Sequence, residues 1–294
     1  MTDSAALGRA YAHCSRIARD HYENFPVASF LLPAAMRPHI AAIYAFARRA
    51  DDFADEPGLP PDARARLLDD WLARLRRAAD GGPPPDVDAG GDDLIFQALG
   101  ETIRRRALPI GLFEDLLSAF RQDISTTRYA TWPDLLEYSR RSANPVGRLV
   151  LRLAGRDDPG TDAESDAVCT ALQLTNFWQD LGRDWEHGRL YVPLDDLARA
   201  GARPDDLDDR MVTPGWRAVM DLMIRRTREL FVAGRPVCDA VRGRLRWELR
   251  LTWLGGWRVL DKVERARRDS FDERPTLGAA DVPGLLRDAA VWAR

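Results

Sequence analysis

Lysine is almost missing from this chain: Lys262 is the only one, and the remaining basic residues are arginine. The planar guanidinium fork of arginine suits repeated phosphate recognition. The three cysteines, Cys14, Cys169 and Cys238, are odd in number and far apart. That excludes a disulfide framework and a thiolate metal site, and it points to a reducing cytosol. No run of about 18 apolar residues occurs, so no membrane-spanning segment is expected. The opening stretch, Met1 to Arg16, lacks the apolar core of a secretion signal. Any membrane association is therefore expected to be peripheral. With a net charge of −3, the chain has no global basic field, and no nucleic-acid partner is expected. Strand signals, meaning period-two alternation rich in Val, Ile and Thr, are also nearly absent.

What is present is helical periodicity over almost the whole length. Helices are expected at about 3–23, 34–56, 61–80, 92–106, 109–124, 132–154, 162–187, 215–234, 236–253, 256–269 and 283–292. Pro61, Pro109 and Pro133 fall in first turns, where a missing N–H is harmless. Gly81–Gly91 is the clearest loop. No boundary separates two domains, so residues 1–294 are read as one. Pro145, after Asn144, should kink the 132–154 helix. The small residues around it make either a ligand space or a simple helix break.

Two acidic clusters carry the chemistry. Asp51 and Asp55 are four residues apart, and Asn176, Asp180 and Asp184 continue the same step. At about 100° per residue each series stays on one helix face. Tyr44 and Arg48 share the phase of the first cluster, and Gln173 shares that of the second. Stacked carboxylates repel, so a cation is expected among them. Oxygen ligands without His or Cys suit a hard ion, Mg²⁺ above all, shared with a phosphate. The apolar run Ala41–Phe46 marks the first helix as buried. The pairs Asp69-Asp70, Asp92-Asp93, Asp195-Asp196, Asp205-Asp206 and Asp208-Asp209 read instead as solvated caps and loops. Two acidic helices facing each other across a bundle could hold a diphosphate through Mg²⁺, with long apolar helices sheltering a carbocation.

At these residues the chain resembles the squalene/phytoene synthase family of head-to-head prenyl synthases, from about residue 11 to 275. One signature spans Tyr44 to Glu56, and the other runs from Gln173 through Asn176, Asp180 and Asp184 to Arg189, Tyr191 and Pro193. The resemblance implies an all-α isoprenoid-synthase helical bundle with a central cavity, prenyl diphosphate substrates and two or three Mg²⁺ ions. It implies Asp51, Asp55, Asn176, Asp180 and Asp184 as metal and diphosphate ligands, and Arg48 and Arg189 as diphosphate contacts. It also implies Tyr44, Tyr138, Gln173 and Tyr191 as polar pocket residues and His21 as a cavity residue, with Tyr138 counted among the catalytic set.

Two departures from the family pattern matter. Gln179 stands where the family commonly has Arg, and Gly255-Gly256 stands where bulk is usual. With Asn24–Ser29 and Ser142–Gly147, these features resemble the bacterial hydroxysqualene synthases of hopanoid pathways. Such enzymes ionise presqualene diphosphate and let water capture the cation, without NADPH. No dinucleotide fingerprint is found in this sequence. The resemblance therefore implies a cytoplasmic, Mg-dependent lyase in contact with other pathway enzymes. The alternative is a transferase that condenses two farnesyl or two geranylgeranyl diphosphates. In the hydroxysqualene synthase reading, Phe25, Phe30, Phe46, Trp178 and Trp257 are expected to line the apolar tunnel that stabilises the cation.

Overall fold

A computed structural model describes residues 4–20, 31–56, 58–82, 90–268 and 270–292. His21, Phe25 and Phe30 lie outside the described residues. Among the described residues the architecture is all-α: there is no strand, only an isolated parallel bridge between Arg128 and Leu190. No described helix is long and apolar enough to cross a membrane. By its contacts the chain divides into two compact units, Met1–Ser125 with Arg148–Asp157, and Thr126–Gly147 with Asp158–Arg294.

The first unit holds α1 (Ser4–Asp20), α2 (Arg37–Asp55), α3 (Pro61–Ala79), α4 (Gly91–Arg106) and α5 (Ile110–Asp123). Helix α2 is its centre and packs on the other four. Alanines at 41, 42, 45, 50 and 54 are buried along it and let neighbours approach from several sides. Phe46, with no exposed surface, stacks on Trp71 at 5.8 Å and meets Phe96 and Phe113 edge-on at 6.1 and 5.7 Å. Phe46 is thus a packed core residue, which corrects its expected place in a tunnel.

A buried polar knot ties α1, α2 and α4 together. Thr102 Oγ1 lies 2.9 Å from the Tyr11 hydroxyl and 3.0 Å from His39 Nδ1. Burial, then the charges of Arg106 and Arg105, lower the pKa of His39 below its usual 6.5. The fold therefore favours the neutral ring. Its contribution to stability is present above about pH 6.5 and is lost as pH falls. Wild-type protein should lose more melting temperature between pH 7.5 and 5.5 than a His39→Gln variant. Parallel losses in scanning calorimetry would refute this role.

The second unit contains α6 (Trp132–Ser142), the start of α7 (Asn144–Leu153), α8 (Pro159–Gln179), α9 (Leu181–Glu186) and α10 (Leu194–Ala200). It continues with α11 (Pro214–Gly234), α12 (Val237–Ala240), α13 (Gly243–Ala266) and α14 (Val282–Ala290). Helix α8 is the centre here and packs on α6, α11, α12 and α13. The expected 132–154 helix is broken at Ala143, just before Pro145. Asn144 accepts a buried hydrogen bond from Thr170 at 2.9 Å, and Ser165 and Cys169 occupy the space beside Gly147. This break is filled by α8. A Cβ on Gly256 would meet the Phe231 ring at 2.8 Å, so glycine there lets α13 close on its neighbours. The three thiols are free, and burial pushes them up to about 11 (Cys169) or 12 (Cys14, Cys238).

Candidate active site

Each acidic cluster sits at the C-terminal end of the central helix of its unit, and neither helix has a basic residue in its last turn. Carboxylates there meet the negative end of the helix dipole, which costs each helix a few tenths of a kcal/mol or more. Cations from elsewhere offset the cost.

In the first unit Arg48 reaches Asp52 at 2.8 Å and Asp51 at 3.7 Å. Arg64 of α3 donates to the Ala54 carbonyl at 3.1 Å and to Leu59 O at 2.9 Å, covering the end of α2. Asp51 is half-buried, Asp55 is exposed in the last turn, and Tyr44 is half-buried one turn before Arg48. The structure brings Tyr44, Arg48, Asp51 and Asp55 onto one helix, as the spacing predicts. It adds Asp52 as the stronger partner of Arg48.

In the second unit the expected single helix over 162–187 is interrupted. Helix α8 ends at Gln179, the chain bends at Asp180, and α9 begins at Leu181. The four-residue step survives the bend, because Asp180 N donates to Asn176 O at 2.8 Å and Asp184 N to Asp180 O at 2.9 Å. The cause of the bend lies far along the chain. The guanidinium of Arg267 donates to the Trp178 and Gln179 carbonyls at 2.9 and 2.6 Å, taking acceptors that a continuous helix would use. Phe271 O packs against Gly182, where a Cβ would lie 2.6 Å away. Gly182→Ala is expected to push the 270–275 segment off this bend and lower turnover about 100-fold. An unchanged rate would show that the close approach is dispensable.

Asp180 is the best-held group of the site. Asn176 Nδ2 donates to its Oδ2 at 2.9 Å, and Arg274 engages both oxygens, with Nη2 to Oδ2 at 3.3 Å. Burial, then the neighbouring Asp180 charge, push the Asp184 carboxyl up to about 7, against the pull of Arg189, His187 and Arg183. Arg189 N also donates to Asp184 O at 2.7 Å. Gln173 is half-buried on α8, three residues before Asn176. Gln179 donates to Pro275 O at 2.5 Å.

Tyr138 and Tyr191 are brought together, their ring centroids 6.3 Å apart. Tyr191 stacks on Phe177 at 3.7 Å and on Tyr129 at 5.8 Å. Hydrogen bonds from Leu190 N to Thr127 O and Leu194 N to Tyr129 O place the two chain segments side by side. Trp178 is fully buried, and its Nε1 donates to Thr227 at 2.9 Å. It belongs to the core, a second correction to the expected tunnel. Trp257 is half-buried and stacks on Trp253 at 5.1 Å.

Asn176, Asp180 and Asp184 offer hard oxygen donors, the set that fits Mg²⁺. The disfavoured Asp184 charge is one that a nearby cation would stabilise. Among the described residues no three His, Cys, Asp or Glu side chains gather as a metal-holding group. An ion here would therefore be completed by Asn176, substrate phosphate and water.

Sequence reasoning missed Arg274, Arg267, Arg64, Tyr129 and Phe177. Arg274 is 94 positions from Asp180 and Arg267 is 89 from Trp178, and no local periodicity links residues so distant. It also misread Asp196 and Asp206 as solvated. Both are buried, Asp196 accepting from Arg226 at 2.6 Å and Asp206 capping at Arg203 N at 3.1 Å.

Known proteins resemble this chain over nearly its full length. A hydroxysqualene synthase of Rhodopseudomonas palustris is 34% identical over 276 residues, covering 93% of this chain and 87% of that protein. A phytoene synthase of Arthrospira platensis is 31% identical over 287 residues, covering 93% and 90%. The crystal structure of squalene synthase HpnC from Alicyclobacillus acidocaldarius superposes with a TM-score of 0.83 at 39% identity, covering 92% of this chain and 98% of that one. The squalene/phytoene synthase family model matches residues 18–281, both acidic clusters included, so the chain belongs to that family of isoprenoid-synthesising enzymes.

Proposed function

We propose that this enzyme converts presqualene diphosphate and water to hydroxysqualene and diphosphate. The C–O bond to diphosphate breaks, the cyclopropylcarbinyl cation rearranges, and water adds to it with loss of a proton. Asp51, Asp55, Asn176, Asp180 and Asp184 are the ligands in this reading. Arg48 and Arg189 bind the leaving group. Tyr44, Gln173, Tyr138 and Tyr191 are the polar pocket residues, and His21 joins them from the family resemblance. Mg²⁺ bound to these oxygens would neutralise the departing diphosphate and draw it from carbon. The residues 1–294 act as one catalytic domain in the cytoplasm, with at most peripheral membrane contact and with other pathway enzymes as neighbours.

The observation that carries this reading is Gln179. It stands where the family commonly has Arg, and its amide is spent on Pro275 O. The charge beside Asp180 comes instead from Arg274. In the sequence the same departure favours hydration, and the hydroxysqualene synthase relative supports it. The phytoene synthase relative, of similar identity and coverage, supports a second reading: head-to-head condensation of two prenyl diphosphates.

A substrate panel separates the two readings. Purified protein with Mg²⁺ and no reductant is expected to release hydroxysqualene from presqualene diphosphate. It should leave farnesyl and geranylgeranyl diphosphates unconsumed. Phytoene or presqualene diphosphate as product would establish condensation instead. Loss of activity in EDTA, restored by Mg²⁺, tests the metal.

A further inference from the structure

Arg267 has 2% of its surface exposed, yet it belongs to neither acidic cluster. Burial lowers its pKa to about 10, so it stays charged at neutral pH. An arginine so buried normally needs a carboxylate partner or a full set of acceptors. Here the acceptors are four backbone carbonyls. Two are the last of α8, at Trp178 and Gln179. The others are Ser270 and Glu273, at 3.0 and 2.9 Å. One planar group thus joins the negative end of α8 to the chain segment that follows α13.

That segment delivers Arg274 to both oxygens of Asp180 and the Pro275 carbonyl to Gln179. We propose that Arg267 is a positioning residue, which by holding these four carbonyls sets Arg274 on Asp180 and so orients that carboxylate for its ligand. The inference rests on the proposed role of Asp180 in binding diphosphate. It assigns the support of that role to a residue outside both motifs.

Other ties hold the segment as well: Lys262 Nζ donates to Thr276 O at 2.9 Å, and Phe271 O packs against Gly182. Phe271 packs edge-on against Trp216 at 5.1 Å, and Asp272 pairs with Arg210. Both contacts anchor the start of the segment on α11 and on the chain just before it. Neither reaches Glu273, whose carbonyl sits one residue before Arg274. The Arg267 fork spans from Ser270 to Glu273 and on to the last carbonyls of α8. Lysine could not replace it fully, because an ammonium has three donors and no fork.

The test is binding of inorganic pyrophosphate with Mg²⁺ by calorimetry, which needs no turnover. Arg267→Gln is expected to weaken it about tenfold or more, the cost typical of losing a supporting partner at a metal site. Arg267→Lys should recover part of the loss, and guanidinium ion should recover part of it in Arg267→Ala. Leu260→Ala, a fully buried position on α13, is the control for general destabilisation. It should lower the melting temperature and leave pyrophosphate affinity unchanged.

If Arg267 acts through Arg274, the double variant Arg267→Gln/Arg274→Ala will bind no worse than Arg274→Ala alone. Losses that multiply would make Arg267 an independent structural element and overturn the inference. So would an Arg267→Gln affinity equal to wild type. Should Arg267→Gln not fold, Arg267→Lys carries the same double-variant comparison. A wild-type chain that binds no Mg²⁺-pyrophosphate would fail the proposed function as well. Wild-type binding with an indifferent Arg267 would fail this inference alone.

Discussion

Asp180→Asn is expected to lower kcat/KM by about 1,000-fold, equivalent to about 4 kcal/mol of transition-state stabilisation. Asp180 lies at the junction of α8 and α9 and ties together Asn176, Arg274 and, through its charge, Asp184. The amide variant keeps the shape and an acceptor for Arg274 but loses the charge. It removes a hard ligand and the negative charge that faces Arg274. It also relieves the repulsion on Asp184. Stability should therefore change far less than activity, since Arg274 keeps about a third of its side chain in solvent. Steady-state rates paired with thermal melts check this. A variant that folds and retains more than about a tenth of wild-type kcat/KM would remove Asp180 from the ligand set.

Trp71→Ala should produce the largest loss of stability, about 3–5 kcal/mol. Trp71 is 1% exposed and touches four aromatic or cationic partners. Its ring lies 4.4 Å from Phe96, 5.2 Å from Phe53 and 5.8 Å from Phe46, with Arg74 over its face at 5.4 Å. The substitution opens a cavity in the centre of the first unit, between α2, α3 and α4. Phe53 lies inside the first acidic cluster, so activity should fall as well. Trp71 Nε1 is buried with no hydrogen-bond partner among the described residues. Trp71→Phe therefore deletes an unsatisfied donor along with volume, and should cost much less than Trp71→Ala. Denaturant unfolding of both variants would decide. Equal losses would mean that the indole's fit among these partners, and not the bulk of an aromatic ring, holds the unit together.

The two effects have different visibility in the sequence. Asp180 stands in a series of polar residues four apart, and that periodicity marks it. Trp71 lies in a helix whose alternation of Leu and Arg shows that one face is buried, without showing what it meets. Most helices were legible, because helical hydrogen bonds are local and apolar residues at three- and four-residue steps record the buried face; α10 was not expected, and the break expected between 253 and 256 falls inside the continuous α13. Legibility fell where a distant group intervened. The break at Asp180 is invisible in Asn176–Asp184 taken alone, because the donor that takes the Trp178 and Gln179 carbonyls is Arg267. Arg267 itself stands among charged neighbours, in Arg265-Ala266-Arg267-Arg268, yet is buried. Asp196 likewise reads as one of a surface pair until Arg226 closes on it.

By itself, then, the sequence determined the all-helical class, the central helices α2 and α8, and the acidic side chains grouped at their ends. Those features depend on residue type and on spacing along one helix. Only the tertiary structure decided which cations oppose those acids, where α8 bends, and which aromatic rings are core. These depend on pairs of residues up to 94 positions apart. Long-range burial and charge pairing leave no periodic trace in the chain, since they are selected by the folded packing and not by any neighbour in sequence.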